Sequence, residues 1–179
     1  MNAKKNTAPL MQRRGKTERM VITAMFAAII CVATMVIHIP SPLGGYVNLG
    51  DTVVLLAAFL LGPASGAVAA GIGSMFADIF LGFTQYAIIT LIIKSAMALV
   101  AGAIFLRLTA GGSKPRRLTA AMASGFVAEC IMVGGYYLFA LLVLRETGAL
   151  LTIPPNVIQG LVGIAGASAL LLMLPAKLL

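Results

Sequence analysis

Residues 51–81 read DTVVLLAAFLLGPASGAVAAGIGSMFADIFL: two apolar runs, 53–61 and 64–81, separated by Gly62-Pro63. The pair Gly-Pro predicts a tight turn, because proline cannot continue a helix and glycine tolerates a sharp bend. The first run would rise only about 14 Å as a helix, less than half of the ~30 Å hydrocarbon layer. Whether this stretch crosses a membrane once or twice sets the topology of the whole chain, and charge decides it. With two crossings, six spans in all, and a cytoplasmic N-terminus, Arg107, Lys114, Arg116, Arg117 and Lys177 all fall on the cytoplasmic side. Only Arg145, beside Glu146, is then left outside. Five spans would turn the basic 107–117 loop outward, against the positive-inside rule. The expectation is therefore an all-α membrane protein of six transmembrane helices with both termini cytoplasmic.

Composition points the same way. Hydrophobic residues make up 60% and charged residues 10% of 179, with a mean hydropathy of +1.03. A soluble domain carries about 25% charged residues, so this chain could not cover a soluble surface. It is expected to reside in the lipid bilayer as a multi-pass protein of the cell membrane. The net charge of +8 would suggest nucleic acid in a soluble protein. Here the basic residues fall between spans and mark topology, so no nucleic-acid partner is expected. Residues 1–19 form a basic cytoplasmic segment and 20–179 a single transmembrane domain. The spans are expected at 20–39, 53–61, 64–81, 86–106, 118–144 and 156–174. A polar lid loop, at about 40–52, carries Gly44, Gly45 and Gly50 for freedom and Tyr46, Asn48 and Asp51 for chemistry. The unusually short second span predicts that part of this loop dips into the membrane under protein cover.

Asp51, Asp78, Lys94 and Glu129 are ionisable yet sit in or against apolar runs, where each costs at least about 2.5–3.5 kcal/mol at a helix centre. Counting about 1.5 Å per residue from the cytoplasmic ends places Lys94 about 20 Å up, Glu129 about 18 Å, Asp78 about 22 Å and Asp51 about 15 Å. Four charges on four segments thus lie near one level. Tyr86, Thr90 and Lys94 share a helix face, as do Glu129 and Tyr136. Aromatic and hydroxyl groups above a charged floor make a pocket for a polar heteroaromatic ligand, with Asn48, Tyr46, Asn156 and Gln159 placed to close it. The substrate-binding candidates are Asn48, Asp51, Asp78, Tyr86, Thr90, Lys94, Glu129, Tyr136 and Asn156. Two blander roles stand beside this one. Asp51 is placed to cap its own helix, and Lys94 could form a structural ion pair with Asp78 or Glu129.

Small residues recur every fourth position at Gly62, Gly66, Ala70, Ser74 and Asp78, with shorter versions at Ala24 and Ala28 and at Gly163 and Ala167. Such faces let helices approach closely. Packing is expected for the third and sixth spans, whereas Ala24 and Ala28 suit either packing or a protein partner. His38 has no second ligand at metal spacing, and no phosphate-binding loop, nucleophile elbow or metal triad is present. No catalytic residue, metal or cofactor is expected, and the chain is not expected to be an enzyme, the rival being a membrane-embedded enzyme or a purely structural membrane protein. Uphill transport would need either an ATPase partner or, alternatively, coupling of this chain to protons as a self-sufficient secondary transporter of a small polar solute.

The segments Gly45-Tyr46-Val47-Asn48-Leu49-Gly50-Asp51, Leu61-Gly62-Pro63, Gly71-Ile72-Gly73-Ser74 through Ala77-Asp78, and Thr90-Leu91-Ile92-Ile93-Lys94 resemble the S components of energy-coupling factor (ECF) transporters. The resemblance covers about residues 17–174 and is nearest the hydroxymethylpyrimidine and pyridoxine group. It implies a six-helix subunit that binds a vitamin or vitamin precursor on the outer side with high affinity, under a lid formed by the loop after the first helix. It also implies partners: a transmembrane coupling subunit and two ATP-binding cassette ATPases that energise uptake. In such proteins an Ala-x-x-x-Ala pattern on the first helix meets the coupling subunit, and Ala24 and Ala28 match it.

Overall fold

The computed structural model describes residues 14–40, 46–109 and 114–174. The elements follow in the order α1 (Lys16–Val36), β1 (His38–Pro40), β2 (Tyr46–Asn48), α2 (Gly50–Leu61), α3 (Pro63–Phe80), α4 (Thr84–Thr109), α5 (Lys114–Leu142), a short 3-10 helix (Ala149–Thr152) and α6 (Ile153–Met173). Lys177, Gly44, Gly45 and most of the basic 1–19 segment lie outside the described residues.

Five helices, α1 and α3 to α6, are long and apolar enough to cross a membrane. α2 is not: its 12 residues rise about 18 Å. It gains three residues on the expected run and remains short. The reason it can be short is where it sits. Gly50, Asp51, Val54, Leu55, Ala57, Ala58, Phe59 and Leu61 are all buried, and α2 packs against α1, α3, α4 and α6. A helix enclosed by its neighbours has no need to reach both edges of the lipid layer, because protein satisfies what lipid cannot.

The turn from α2 to α3 forms at Gly62-Pro63, as the residue pair predicts. Gly62 has φ 81° and ψ 177°, a conformation essentially limited to glycine, and its N–H donates to the Ala58 carbonyl at 3.1 Å. Pro63 then takes the first helical position, where its missing N–H is no loss.

The small-residue row on α3 is a packing device shared among neighbours. A methyl group on Gly66 would lie 2.8 Å from Ala58 Cα of α2, and one on Gly102 of α4 would lie 2.9 Å from Pro63 Cα and 3.0 Å from the Ala58 carbonyl. Three helices therefore meet at Ala58 with no room for a side chain. Farther along, Gly73 abuts the α1 backbone at Ala27 and Gly71 abuts α4 at Leu91. On α6, a Cβ at Gly163 would stand 2.9 Å from Asp51 Cβ, and Ala167 is fully buried. Backbones this close gain dispersion contacts that lipid tails do not replace.

Two expectations are corrected. The first helix stops at Val36 and not at 39, and the end of that expected span pairs with the expected lid loop as an antiparallel ribbon, with His38 opposite Asn48, Ile39 opposite Val47 and Pro40 opposite Tyr46. α2 also begins earlier than expected, at Gly50. That glycine is not a hinge of unusual φ. It is needed for space, since a Cβ there would lie 2.7 Å from Asn48 Oδ1.

Candidate substrate-binding site

The ribbon carries β2 onto α6 and α1, and a cavity lies between it and the helices. Its walls are Tyr46, Val47 and Asn48 from β2, Thr34 from α1, and Ser74 and Asp78 from α3. Tyr86, Thr90 and Lys94 come from α4, Tyr136 and Ala140 from α5, and Thr152, Pro155, Asn156 and Gln159 from the start of α6 and the turn before it. About 60 Å³ is open to water centres, room for several waters at roughly 10–15 Å³ each. Most drug-sized pockets are lined mainly by apolar groups. Here only Val47, Ala140 and Pro155 are purely apolar.

Seven of the nine expected binding residues line this cavity: Asn48, Asp78, Tyr86, Thr90, Lys94, Tyr136 and Asn156. The spacing argument works because Tyr86, Thr90 and Lys94 are successive turns of α4, and four residues nearly complete one turn. Thr90 Oγ1 and Tyr136 Oη are hydrogen-bonded at 3.0 Å, and the Lys94 ammonium lies 5.8 Å from the Tyr136 ring centre. That distance is within reach of a cation–π attraction.

Asp51 and Glu129 are not among the lining residues. Asp51 is placed behind the wall, where it forms a buried ion pair with Lys94 and accepts a hydrogen bond from Gln159 Nε2 at 2.6 Å. The ion pair expected for Lys94 was with Asp78 or Glu129; α2 supplies the partner instead. Nor does the Asp51 side chain cap α2. Asn48 takes that role, its Oδ1 accepting the Gly50 N–H at 2.7 Å, while Asp51 lies in the first turn and complements the helix dipole from there. Glu129 is buried against Gly160 and Gly163 of α6, and neither carboxyl oxygen has a hydrogen-bond partner among the described residues. Asp78 accepts from Tyr46 Oη at 2.6 Å through Oδ1, while its Oδ2 has no partner among the described residues. Burial, with Asp78 beside it, pushes the Tyr46 phenol well above its usual range, so Tyr46 remains a hydrogen-bond donor.

Several lining residues escaped the expected set. Ser74 stands one turn before Asp78 on α3, in a small-residue row that reads as packing alone. Thr34 shares a helix with nothing that marks it. Gln159, singled out for closing the pocket but not for binding, proves both to line it and to be the residue that meets the ribbon.

Ala24 and Ala28 are exposed on α1, in an apolar groove between α1 and α3 whose walls include Met20, Val32, Val68, Ile72 and Phe76. Neither is used for packing within the bundle.

Comparison with known proteins fits this architecture. Over 136 residues the chain is 34% identical to an uncharacterised protein of Pyrococcus woesei, spanning 75% of this chain and 86% of that protein. A solved bacterial structure, the S component of an ECF transporter, superposes with a TM-score of 0.62 at 22% identity, covering 89% of this chain and 94% of the other. That likeness establishes the fold. Residues 14–176 match the family described as the ECF-type riboflavin transporter S component. S components are multi-pass plasma-membrane transport proteins, which bind vitamins and pair with a coupling subunit and two ATPases. The chain belongs to the family of ECF transporter S components.

Proposed function

We propose that this chain is the high-affinity capture subunit for a vitamin or vitamin precursor with a single polar heteroaromatic ring, pyridoxine-like or hydroxymethylpyrimidine-like. The observation that carries this reading is the cavity wall. Tyr46, Tyr86 and Tyr136 offer ring faces and edges, while Asp78, Lys94, Thr90, Asn48 and Asn156 offer donors and acceptors around them. A small ring rimmed by hydroxyl and amino substituents uses many polar contacts per unit of area.

In this reading the lid faces outward and both termini are cytoplasmic, which keeps the basic residues inside. The exposed Ala24–Ala28 face accepts the coupling subunit, and energy comes from its ATPases. Family membership favours that arrangement over proton coupling by this chain alone.

Riboflavin is the second reading, favoured by the name of the matching family. Calorimetric titration of detergent-solubilised protein with pyridoxine, hydroxymethylpyrimidine and riboflavin separates the two, supported by mass spectrometry of whatever co-purifies. Tight binding of a single-ring compound and weak or absent binding of riboflavin is expected. Tight binding of riboflavin alone would overturn the proposal.

A further inference from the structure

Asp51 does not line the cavity, yet it is almost wholly buried, at 1% exposure. Its two oxygens are divided between two partners: Oδ1 pairs with Lys94 and Oδ2 accepts from Gln159 Nε2. A carboxylate only accepts hydrogen bonds. The Gln159 amide must therefore turn its NH2 towards Asp51 and its carbonyl the other way. On that other side lies the ribbon: Gln159 Oε1 accepts the Asn48 backbone N–H at 2.8 Å and Asn48 Nδ2 at 3.3 Å. The Asn48 amide is oriented in turn, because its Oδ1 is committed to the Gly50 N–H.

Every donor in this series points towards Asp51. Lys94 and the Gly50 N–H, at the two ends, can only donate, so neither amide has a second arrangement that satisfies all partners. Asn48, Asp51, Lys94 and Gln159 are all buried, where a donor facing a donor is costly.

We infer that Asp51 and Gln159 are positioning residues that latch the ribbon over the cavity, Asp51 acting by setting the polarity of the Gln159 amide. The inference rests on reading the ribbon as the lid of the binding site. It also gives the Asp51–Lys94 pair two ends: one on the cavity wall at Lys94, the other on the lid at Asn48. A ligand group that draws on Lys94 is thereby connected to the lid.

Hydrogen exchange of ribbon amides, read by mass spectrometry on the unliganded protein in detergent, tests the latch without any assumption about the vitamin. In Asp51→Asn, Lys94 claims the one remaining acceptor, and the new NH2 meets the Gln159 NH2. A flip of Gln159 only moves the mismatch to the Asn48 N–H. Exchange in the ribbon should rise about tenfold, the equivalent of one net hydrogen bond. Gln159→Glu alone sets two carboxylates side by side and should also speed exchange. Asp51→Asn combined with Gln159→Glu restores complementarity. The amide at 51 donates to the carboxylate at 159, which still accepts from the lid, while Lys94 keeps an acceptor. Exchange should return to within about threefold of the unmodified protein, a non-additivity expected only of directly interacting groups.

Unchanged exchange in Asp51→Asn, or a double variant that exchanges as fast as the single ones, overturns the latch. If either single variant fails to fold, recovery of monodisperse protein in the double variant is the rescue, and its absence overturns the inference equally. Absence of vitamin binding to the unmodified protein, with the exchange pattern and rescue intact, would count against the proposed function and leave the latch standing.

Discussion

Lys94→Met is the most informative single perturbation, because it removes a charge while keeping a side chain of similar length in a buried place. Lys94 and Asp51 are 3% and 1% exposed. Losing the ammonium leaves the Asp51 carboxylate with Gln159 as its sole donor, deep in a bundle of apolar helices. Removing one partner of a buried pair typically costs about 3–5 kcal/mol, because the surviving charge is uncompensated. The Arg14–Glu18 pair, exposed where the chain enters α1, offers an internal control: Glu18→Gln should cost less than about 1 kcal/mol. Adding Asp51→Asn to Lys94→Met removes the stranded charge and leaves at most an unsatisfied amide donor, a cost of about 1–3 kcal/mol. The double variant should therefore be more stable than Lys94→Met alone. The chain lacks tryptophan, so helical circular dichroism is the readout. Unfolding would be driven by rising mole fraction of a denaturing detergent, without ligand. A Lys94→Met protein within about 1 kcal/mol of the parent would refute the buried-pair reasoning, as would a double variant no more stable than Lys94→Met.

Two other expectations address the lid and the outer groove. Tyr46→Phe strips Asp78 of the donor on Oδ1 while Oδ2 already lacks one, so it should destabilise the protein by about 1–3 kcal/mol and speed exchange in the ribbon. Unaltered melting and exchange would show that the contact does not hold the lid. Ala24→Trp fills the exposed groove between α1 and α3 without touching the cavity. Ligand affinity should be unchanged while co-purification with the coupling subunit fails, and normal assembly would remove Ala24 from the interface.

Much of this fold was legible because membrane residence imposes strict rules. A buried charge or a breaker inside a long apolar run is costly enough to stand out, which is why Gly62-Pro63 and the four ionisable residues could be read at once. Helix rise alone put those charges near one level, Asp51 among them, but it did not single out Asp51 as the partner of Lys94. What helix rise cannot supply is rotation. Lys94 has Asp51, Asp78 and Glu129 near its height, and only the packing of α2 among four helices, set by glycines such as Gly66 and Gly163, decides that Asp51 faces it.

The β-ribbon was illegible for a related reason. His38–Pro40 and Tyr46–Asn48 are three residues each, too short for any alternation to show, and they include a proline. Such a pair is marginal by itself in water. It is held here by contacts distant in the chain: Asn48 to Gln159, 111 residues away, and Tyr46 to Asp78, 32 away. Local sequence carries no trace of either. The two anchors also account for how the polar character of residues 44–52 should be divided. Tyr46 and Asn48 hold the lid to two different helices while they line the cavity, and Asp51, the most conspicuous charge in the stretch, acts from behind the wall. A polar residue in an apolar protein therefore marks a buried polar cluster, but whether it faces the cavity depends on which partner reaches it first, and for Asp51 that partner is Lys94.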